Sequence, residues 1–91
     1  MNNTKKLNEV RKEVVAILQE IRPEFDFSEK IDFIEEGMLD SFDVVTLVTT
    51  LDEKFQISID GMDILPENFA TIDSIIELLL KNGAKSESDF S

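Results

Sequence analysis

The chain has 91 residues, 42% of them hydrophobic, which is enough for one domain with an apolar core and excludes a disordered chain. Twenty acidic and 9 basic residues give a formal net charge of −11, and nucleic acid would be repelled by it. His and Cys are absent, which excludes imidazole acid–base catalysis, thiolate nucleophiles, disulfides and the commonest zinc ligands. No stretch is long enough to cross a membrane, and residues 1–6 lack the apolar run of a signal peptide, so we expect a cytoplasmic protein.

The first predicted element is an amphipathic helix over about residues 7–21. Its apolar residues recur at steps of three and four: Leu7, Val10, Val14, Ile17, Leu18 and Ile21. Pro23 ends the helix, because the residue before a proline avoids helical backbone angles. A long connection over residues 24–40 follows, closed by a turn at Gly37. Loops of this length are usually functional or held by buried anchors, for which the candidates are Phe25, Phe27, Ile31, Phe33, Ile34 and Leu39.

The second predicted helix covers about residues 41–55 and is capped by Asp40 or Ser41. Its expected core stripe is Val44, Leu47, Val48, Leu51 and Phe55. After a turn at residues 60–61, Pro66 predicts a short helix through Phe69.

Thr71 is the expected cap of the final helix, and Gly83 suits its C-terminal end. The inward residues of this helix are Ile72, Ile75, Ile76, Leu79 and Leu80. Although Ile57 and Ile59 alternate like a strand, one such piece makes no sheet. The sequence therefore predicts an all-α fold, a small antiparallel four-helix bundle of three long helices and one short one. We expect residues 1–83 to form the domain and residues 84–91 a disordered tail.

Acidic residues are concentrated just before and around Ser41. Between residues 24 and 43 there are eight acidic residues and one lysine. Such a local field would steer a basic partner toward the serine. The alternative is that the charge only keeps the protein soluble, and charge alone does not separate the two interpretations.

The residues around Ser41 carry a family resemblance. The run Gly37-Met38-Leu39-Asp40-Ser41-Phe42-Asp43-Val44-Val45, followed by Leu47, Val48, Leu51 and Phe55, resembles the acyl and peptidyl carrier protein family over nearly the whole chain. This resemblance implies that the Ser41 hydroxyl carries a 4′-phosphopantetheine arm, which a phosphopantetheinyl transferase supplies from coenzyme A with Mg²⁺. The arm brings a thiol to a chain without Cys, and acyl groups are held on it as thioesters.

The same resemblance implies further roles and partners. The charge of Asp40 would repel the phosphate of the arm, so we interpret Asp40 as a residue that serves recognition by the transferase or positions a metal ion. The chain itself would be a monomer without catalytic activity or a bound metal, and it would pass intermediates from a loading ligase or synthase to downstream transferases. A second Asp-Ser-apolar run occurs at Asp73-Ser74-Ile75. Ser41 is preferred to Ser74 because only its flanking residues match the family, and because Ser74 falls within the last helix after its cap.

Departures from the family pattern leave the cargo open. Phe42 stands where Leu is typical, and Thr46 and Thr49 replace an acidic and an apolar residue of fatty-acid-type carriers. The spacing from Phe55 to Phe69 looks more like that of D-alanyl carrier proteins. The cargo is therefore either an acyl chain or an amino acid activated by an adenylating ligase. A hydrophobic cavity between the helices would favour the acyl chain.

A candidate partner-binding edge runs along the second helix. Phe42, Val45 and Thr49 are spaced to lie beside Ser41, and Glu53 extends the edge. Partial burial by packing is the alternative for these side chains.

Functions of another class are also open. An acidic helical adaptor without a prosthetic group would make Ser41 dispensable. A calcium sensor is disfavoured because neither residues 26–30 nor residues 60–63 provide the EF-hand ligand series. An enzyme is disfavoured because only carboxylates, lysines and hydroxyls remain and there is no Gly-rich phosphate loop.

Overall fold

The computed structural model describes residues 7–28 and 30–84, and its regular elements in those ranges are all helical. Helix α1 covers Leu7–Ile21, α2 covers Ser41–Phe55 and α3 covers Ile72–Lys81. Two short 3₁₀ helices, Gly61–Asp63 and Pro66–Phe69, lie between α2 and α3. Helix α1 packs against both α2 and α3. The all-α bundle is confirmed. The predicted short helix after Pro66 is a 3₁₀ helix, and the one at Gly61–Asp63 was not expected.

The core is formed by the apolar faces of the three α-helices together with anchors from the connections. Phe27, Phe33 and Leu39 are buried as expected, and Phe27 and Phe33 meet edge to face with ring centroids 5.0 Å apart. The other three predicted anchors of the 24–40 connection are half-buried. Full burial of one such phenylalanine is worth roughly 1.5–3 kcal/mol. The connection is therefore part of the core.

One core prediction for the helices was wrong. Leu7, the first residue of α1, is 43% exposed. Ile21, Phe55 and Leu80 are half-buried and pack against the core, and Leu78, which was not predicted, is buried. Helix α3 thus buries a face wider than the predicted stripe, which agrees with its position against α1 and the second 3₁₀ helix.

Backbone hydrogen bonds hold the 24–40 connection to the bundle. The Phe33 N–H donates to the Ala70 carbonyl at 2.6 Å, and the Phe33 carbonyl accepts from Met38 at 2.8 Å and from Leu39 at 3.2 Å. Gly37 turns the chain with a φ of 73°, a conformation that glycine adopts without steric cost. This path brings the chain to Asp40 at the start of α2.

The ends of α2 and α3 have distinct caps. Thr71 caps the start of α3, as expected; Asn82 is the C-cap residue of this helix, and Gly83 follows Asn82 with a φ of 102°. The C-cap residue of α2 is Gln56, whose φ of 55° and ψ of 51° place a non-glycine residue in the left-handed region. Ala84, predicted to begin a tail, is buried, and its N–H donates to Leu79 at 2.9 Å. The rest of the predicted tail, residues 85–91, lies outside the described residues. None of the described helices is long and apolar enough to span a bilayer.

Candidate functional site

Asp40 caps α2 through a reciprocal pair of hydrogen bonds with Asp43. Asp40 has extended backbone angles, φ −113° and ψ −175°, and its Oδ1 accepts from the Asp43 N–H at 2.9 Å. In return, the Asp43 Oδ2 accepts from the Asp40 N–H at 3.1 Å. This capping box satisfies main-chain donors that the first turn of a helix leaves unpaired. Asp40 is therefore the N-cap residue of α2, and the Ser41 side chain does not cap the helix.

Ser41 is the first residue of α2 and is exposed. Its hydroxyl has no hydrogen-bond partner among the described residues. Oriented peptide dipoles and unpaired N–H groups make a helix N-terminus favourable for a phosphate. The hydroxyl is thus accessible to an enzyme and lies where a phosphodiester can be accommodated.

Ser74, the serine of the second Asp-Ser run, has a different environment. Its hydroxyl accepts from the Thr71 N–H at 3.1 Å and donates to the Thr71 carbonyl at 2.9 Å, and its own N–H donates to the Thr71 hydroxyl at 3.1 Å. Ser74 is the third residue of α3 and completes the capping box of that helix. Modification of Ser74 would break these bonds, so the geometry favours Ser41.

Arg22, which follows the last residue of α1, contacts both carboxylates of the α2 capping box. Its Nε lies 2.7 Å from Asp43 Oδ2 and its Nη2 lies 3.2 Å from Asp40 Oδ2. A third contact joins its Nη1 to Glu24 Oε2 at 3.3 Å. Hydrogen bonds to Asp43 and Glu24 raise the pKa of the Arg22 guanidinium, so it remains charged. Arg22 was not predicted as a site residue, because no sequence motif joins it to the start of α2.

The pKa of Asp40 is held below its ordinary value. The principal cause is the hydrogen bond from the Asp43 N–H, which stabilises the carboxylate, and the charge of Arg22 adds to it against the opposing effect of burial. Asp40 is therefore ionised at neutral pH. Both of its oxygens are already engaged within the chain, one by the cap and one by Arg22.

The predicted partner-binding edge is exposed along α2. Phe42 is 83% exposed and Val45 61%, which excludes the alternative that they are buried by packing within the described chain. Thr49 and Glu53 are also exposed, and the Thr49 hydroxyl donates to the Val45 carbonyl at 3.2 Å. Met62, between α2 and α3, is another exposed apolar side chain at 84%, and it was not predicted. Exposure makes these side chains accessible to a partner.

Three surface grooves have volumes of about 250, 360 and 380 Å³. Two of them share Arg11, Ser28 and Ile72, and the third lies along α3. None of the three is lined by a residue of α2, so they offer no recess beside Ser41. Among the described residues there is no group of three or more His, Cys, Asp or Glu side chains that could hold a metal ion.

Comparison with known proteins identifies the family of the chain. Residues 8–79 match the family model described as the phosphopantetheine attachment site. The chain is 38% identical over 71 residues to an acyl carrier protein of Wolinella succinogenes, in a match covering 78% of this chain and 90% of that protein. D-alanyl carrier proteins of Staphylococcus xylosus and Bacillus mycoides are 32% and 33% identical over 73 residues; each match covers 78% of this chain, with 94% and 92% of the respective relatives. No solved structure gives a significant match. The chain belongs to the family of carrier proteins that have a phosphopantetheine attachment site.

Proposed function

We propose that this protein carries acyl intermediates as thioesters on a 4′-phosphopantetheine arm attached to Ser41 and passes them between partner enzymes. The observation that carries the proposal is the exposed, unpartnered hydroxyl of Ser41 at the first residue of α2. Asp40 and Asp43 form the cap beside it, which leaves the serine free of a structural role. Membership of the phosphopantetheine attachment family supports the same assignment.

Attachment of the arm requires a phosphopantetheinyl transferase with coenzyme A and Mg²⁺. A bond forms between Ser41 Oγ and the phosphorus that bears pantetheine, and the pyrophosphate P–O bond of coenzyme A breaks. Adenosine bisphosphate leaves with the bonding electrons, and a base takes the hydroxyl proton. The chain has no Cys, so the arm supplies the thiol that holds the cargo. We place this modification in the cytoplasm, where coenzyme A is available.

The residues at the start of α2 fit the group. Its phosphodiester would lie at the positive end of the helix dipole, and the Ser41 hydroxyl would give up no hydrogen bond to another described residue. Asp40 is the opposing charge, and Arg22 partly offsets it. We propose that the exposed part of Asp40 is recognised by the transferase and that Phe42, Val45, Thr49 and Glu53 contact partner enzymes.

An amino acid is the second candidate cargo. The D-alanyl carrier proteins among the relatives, together with the long segment between α2 and α3, support an aminoacyl group loaded by an adenylating ligase. The acyl carrier relative supports an acyl group. The grooves described above do not favour a long chain over a short group, because none of them lies beside α2.

Intact-protein mass tests the attachment. The protein and its Ser41→Ala and Ser74→Ala variants are incubated with coenzyme A, Mg²⁺ and a broad-specificity phosphopantetheinyl transferase. We expect wild type and Ser74→Ala to gain one phosphopantetheine and Ser41→Ala to gain none. If the folded wild type gains no mass, the chain acts without the arm, as an adaptor would.

The modified protein then distinguishes the cargoes. It is incubated in parallel with D-alanine, ATP and a D-alanine-adenylating ligase, and with malonyl coenzyme A and a malonyl transferase. Acylation of the arm thiol by the second mixture supports an acyl carrier. Loading by the first mixture alone would assign an aminoacyl carrier.

A further inference from the structure

We propose that Arg22 is a positioning residue for the modification of Ser41: its guanidinium holds the two carboxylates of the α2 capping box together, so that the serine is presented on an ordered first helical turn. This inference rests on the proposed function. Arg22 touches neither Ser41 nor the transferred group, and it acts through Asp40 and Asp43.

The contacts place one cation between two anions. Arg22 Nε donates to Asp43 Oδ2 at 2.7 Å, and Nη2 donates to Asp40 Oδ2 at 3.2 Å. A guanidinium is a rigid planar fork and can satisfy two carboxylates at once, whereas a lysine ammonium is a single point charge. The Asp43 side chain is only 13% exposed, so water screens its contact with Arg22 less than that of an open surface pair.

The charge of Arg22 offsets electrostatic repulsion at the start of α2. The capping box brings two like charges together, and a phosphodiester on Ser41 would add a third beside them. Within the 24–43 stretch lysine occurs only at position 30, so Arg22, from the end of α1, is the cation that the structure places on these carboxylates. Without Arg22, Asp40 and Asp43 would repel each other, and the first turn holding Ser41 would open more often.

Arg11, within the chain segment that forms α1, provides a matched comparison. It forms an ion pair with Asp73, in the first turn of α3, and the Asp73 side chain is 67% exposed. Like Arg22, it therefore contacts an acidic residue at the start of another helix. Replacing Arg11 changes the net charge equally and breaks an ion pair of similar type, but it leaves the start of α2 intact.

Modification kinetics and hydrogen exchange test the proposal. Wild type, Arg22→Gln, Arg11→Gln and the double variant Arg22→Gln/Asp43→Asn are modified from coenzyme A with Mg²⁺ and a broad-specificity transferase. We expect Arg22→Gln to lower kcat about three- to tenfold with little change in KM for the carrier, because ordering of the reacting turn is lost and docking is not. Arg11→Gln should match wild type. The double variant should recover most of the rate, because an asparagine at position 43 can still accept from the Asp40 N–H without repelling the Asp40 carboxylate.

Amide exchange of the unmodified proteins supplies a readout without the transferase. Arg22→Gln should speed exchange at residues 40–44 and leave the middle of α1 and α3 unchanged. Equal kinetics for Arg22→Gln and Arg11→Gln would overturn the proposal, as would faster exchange throughout the protein without recovery in the double variant. Modification of wild type at Ser41 together with either result would leave the proposed function standing, whereas an unmodified wild type would overturn both.

Discussion

At Asp40 the two carboxylate oxygens have different partners, and this decides what a substitution there can reveal. Oδ1 caps the helix by accepting from Asp43, and Oδ2 contacts Arg22. Alanine removes the cap and the charge together, so slower modification of Asp40→Ala would not by itself identify a recognition role. Asparagine caps helices about as well as aspartate does but carries no charge.

Asp40→Asn therefore separates the two roles of this side chain. We expect it to keep a free energy of unfolding close to that of wild type near neutral pH, while Asp40→Ala is less stable. If the transferase recognises the charge, modification of both variants is slower than that of wild type. Urea unfolding and modification kinetics measure the two effects. Wild-type kinetics in Asp40→Asn would exclude a recognition role for the carboxylate.

The lowered pKa of Asp40 also predicts a pH dependence. A carboxyl whose folded-state pKa lies below its unfolded value of 3.8 stabilises the fold at higher pH, and this contribution is lost as pH falls through the folded-state pKa. We expect the stability difference between wild type and Asp40→Asn to be constant above about pH 5 and to shift against wild type below about pH 4. Urea unfolding of both proteins across this range measures the shift, and a constant difference throughout would contradict it.

At the scale of single residues, the sequence predicted Ser41 as the attachment site. It did not predict the Asp40–Asp43 capping box beside Ser41 or the contacts of Arg22 with that box. Ser41 could be chosen over Ser74 because a cap at Thr71 places Ser74 inside α3, and the hydrogen bonds of Ser74 agree. The Asp40–Asp43 spacing matches a capping box, and this signal was available but unused. The role of Arg22 could not be predicted, because it depends on how the 24–40 connection returns α2 to the end of α1.

At the scale of elements, the three α-helices were predictable because the apolar periodicity of each agrees with a residue that marks one of its ends: Pro23 after α1, and the caps Asp40 and Thr71 before α2 and α3. Apolar spacing defined their buried faces, and Pro23 and Thr71 marked ends that the structure confirms. The segment between α2 and α3 was harder. The Gly61–Asp63 helix is one turn, too short for a periodic pattern, and its start is set by Asp60, whose side chain accepts from Met62 at 2.9 Å. Gln56 ends α2 in a left-handed conformation that a glutamine does not signal.

Replacement of threonine by alanine at two positions should change the free energy of unfolding in opposite directions, because only one of the two threonines caps a helix. Thr71→Ala removes the acceptor for the Ser74 N–H and should lower the free energy of unfolding by about 1 kcal/mol. Thr46→Ala, at an exposed position inside α2, should raise it by a few tenths of a kcal/mol, since alanine is the better helix former. Urea denaturation of the two variants measures both changes. If Thr71→Ala were as stable as wild type or more stable, the Thr71 cap would contribute nothing to stability.

At the scale of the whole molecule, the architecture was predictable and its binding surface only in part. The bundle followed from three amphipathic helices and from the family resemblance. The exposure of Phe42 and Val45 distinguishes them from the buried α2 stripe, which the spacing alone could not do. A net charge of −11 also gives the molecule a long-range field, so charges near Ser41 should affect encounter with a basic partner more than charges elsewhere.

Charge reversal at two exposed glutamates tests that field. Glu53→Lys on α2 should raise the transferase KM for the carrier about two- to fivefold at low salt, and the difference from wild type should disappear as salt screens the interaction. Glu77→Lys, at an exposed position on α3, changes the net charge equally and is expected to have little effect. Steady-state modification at about 20 mM and 500 mM salt measures both. Equal effects of the two variants would remove Glu53 from the interface.

The hydrogen bond between Phe33 and Ala70 has a consequence for the order in which the chain matures. This bond holds the 24–40 connection, which leads into Ser41, against Ala70, the residue before the cap of α3. A growing chain therefore cannot form the bond until Ala70 has been synthesised. Closing so long a loop is a late event in folding, because the entropy of the loop is lost before the contact forms. A transferase that requires an ordered serine would then act on finished molecules and pass over nascent ones, so the arm would mark chains that have completed their fold.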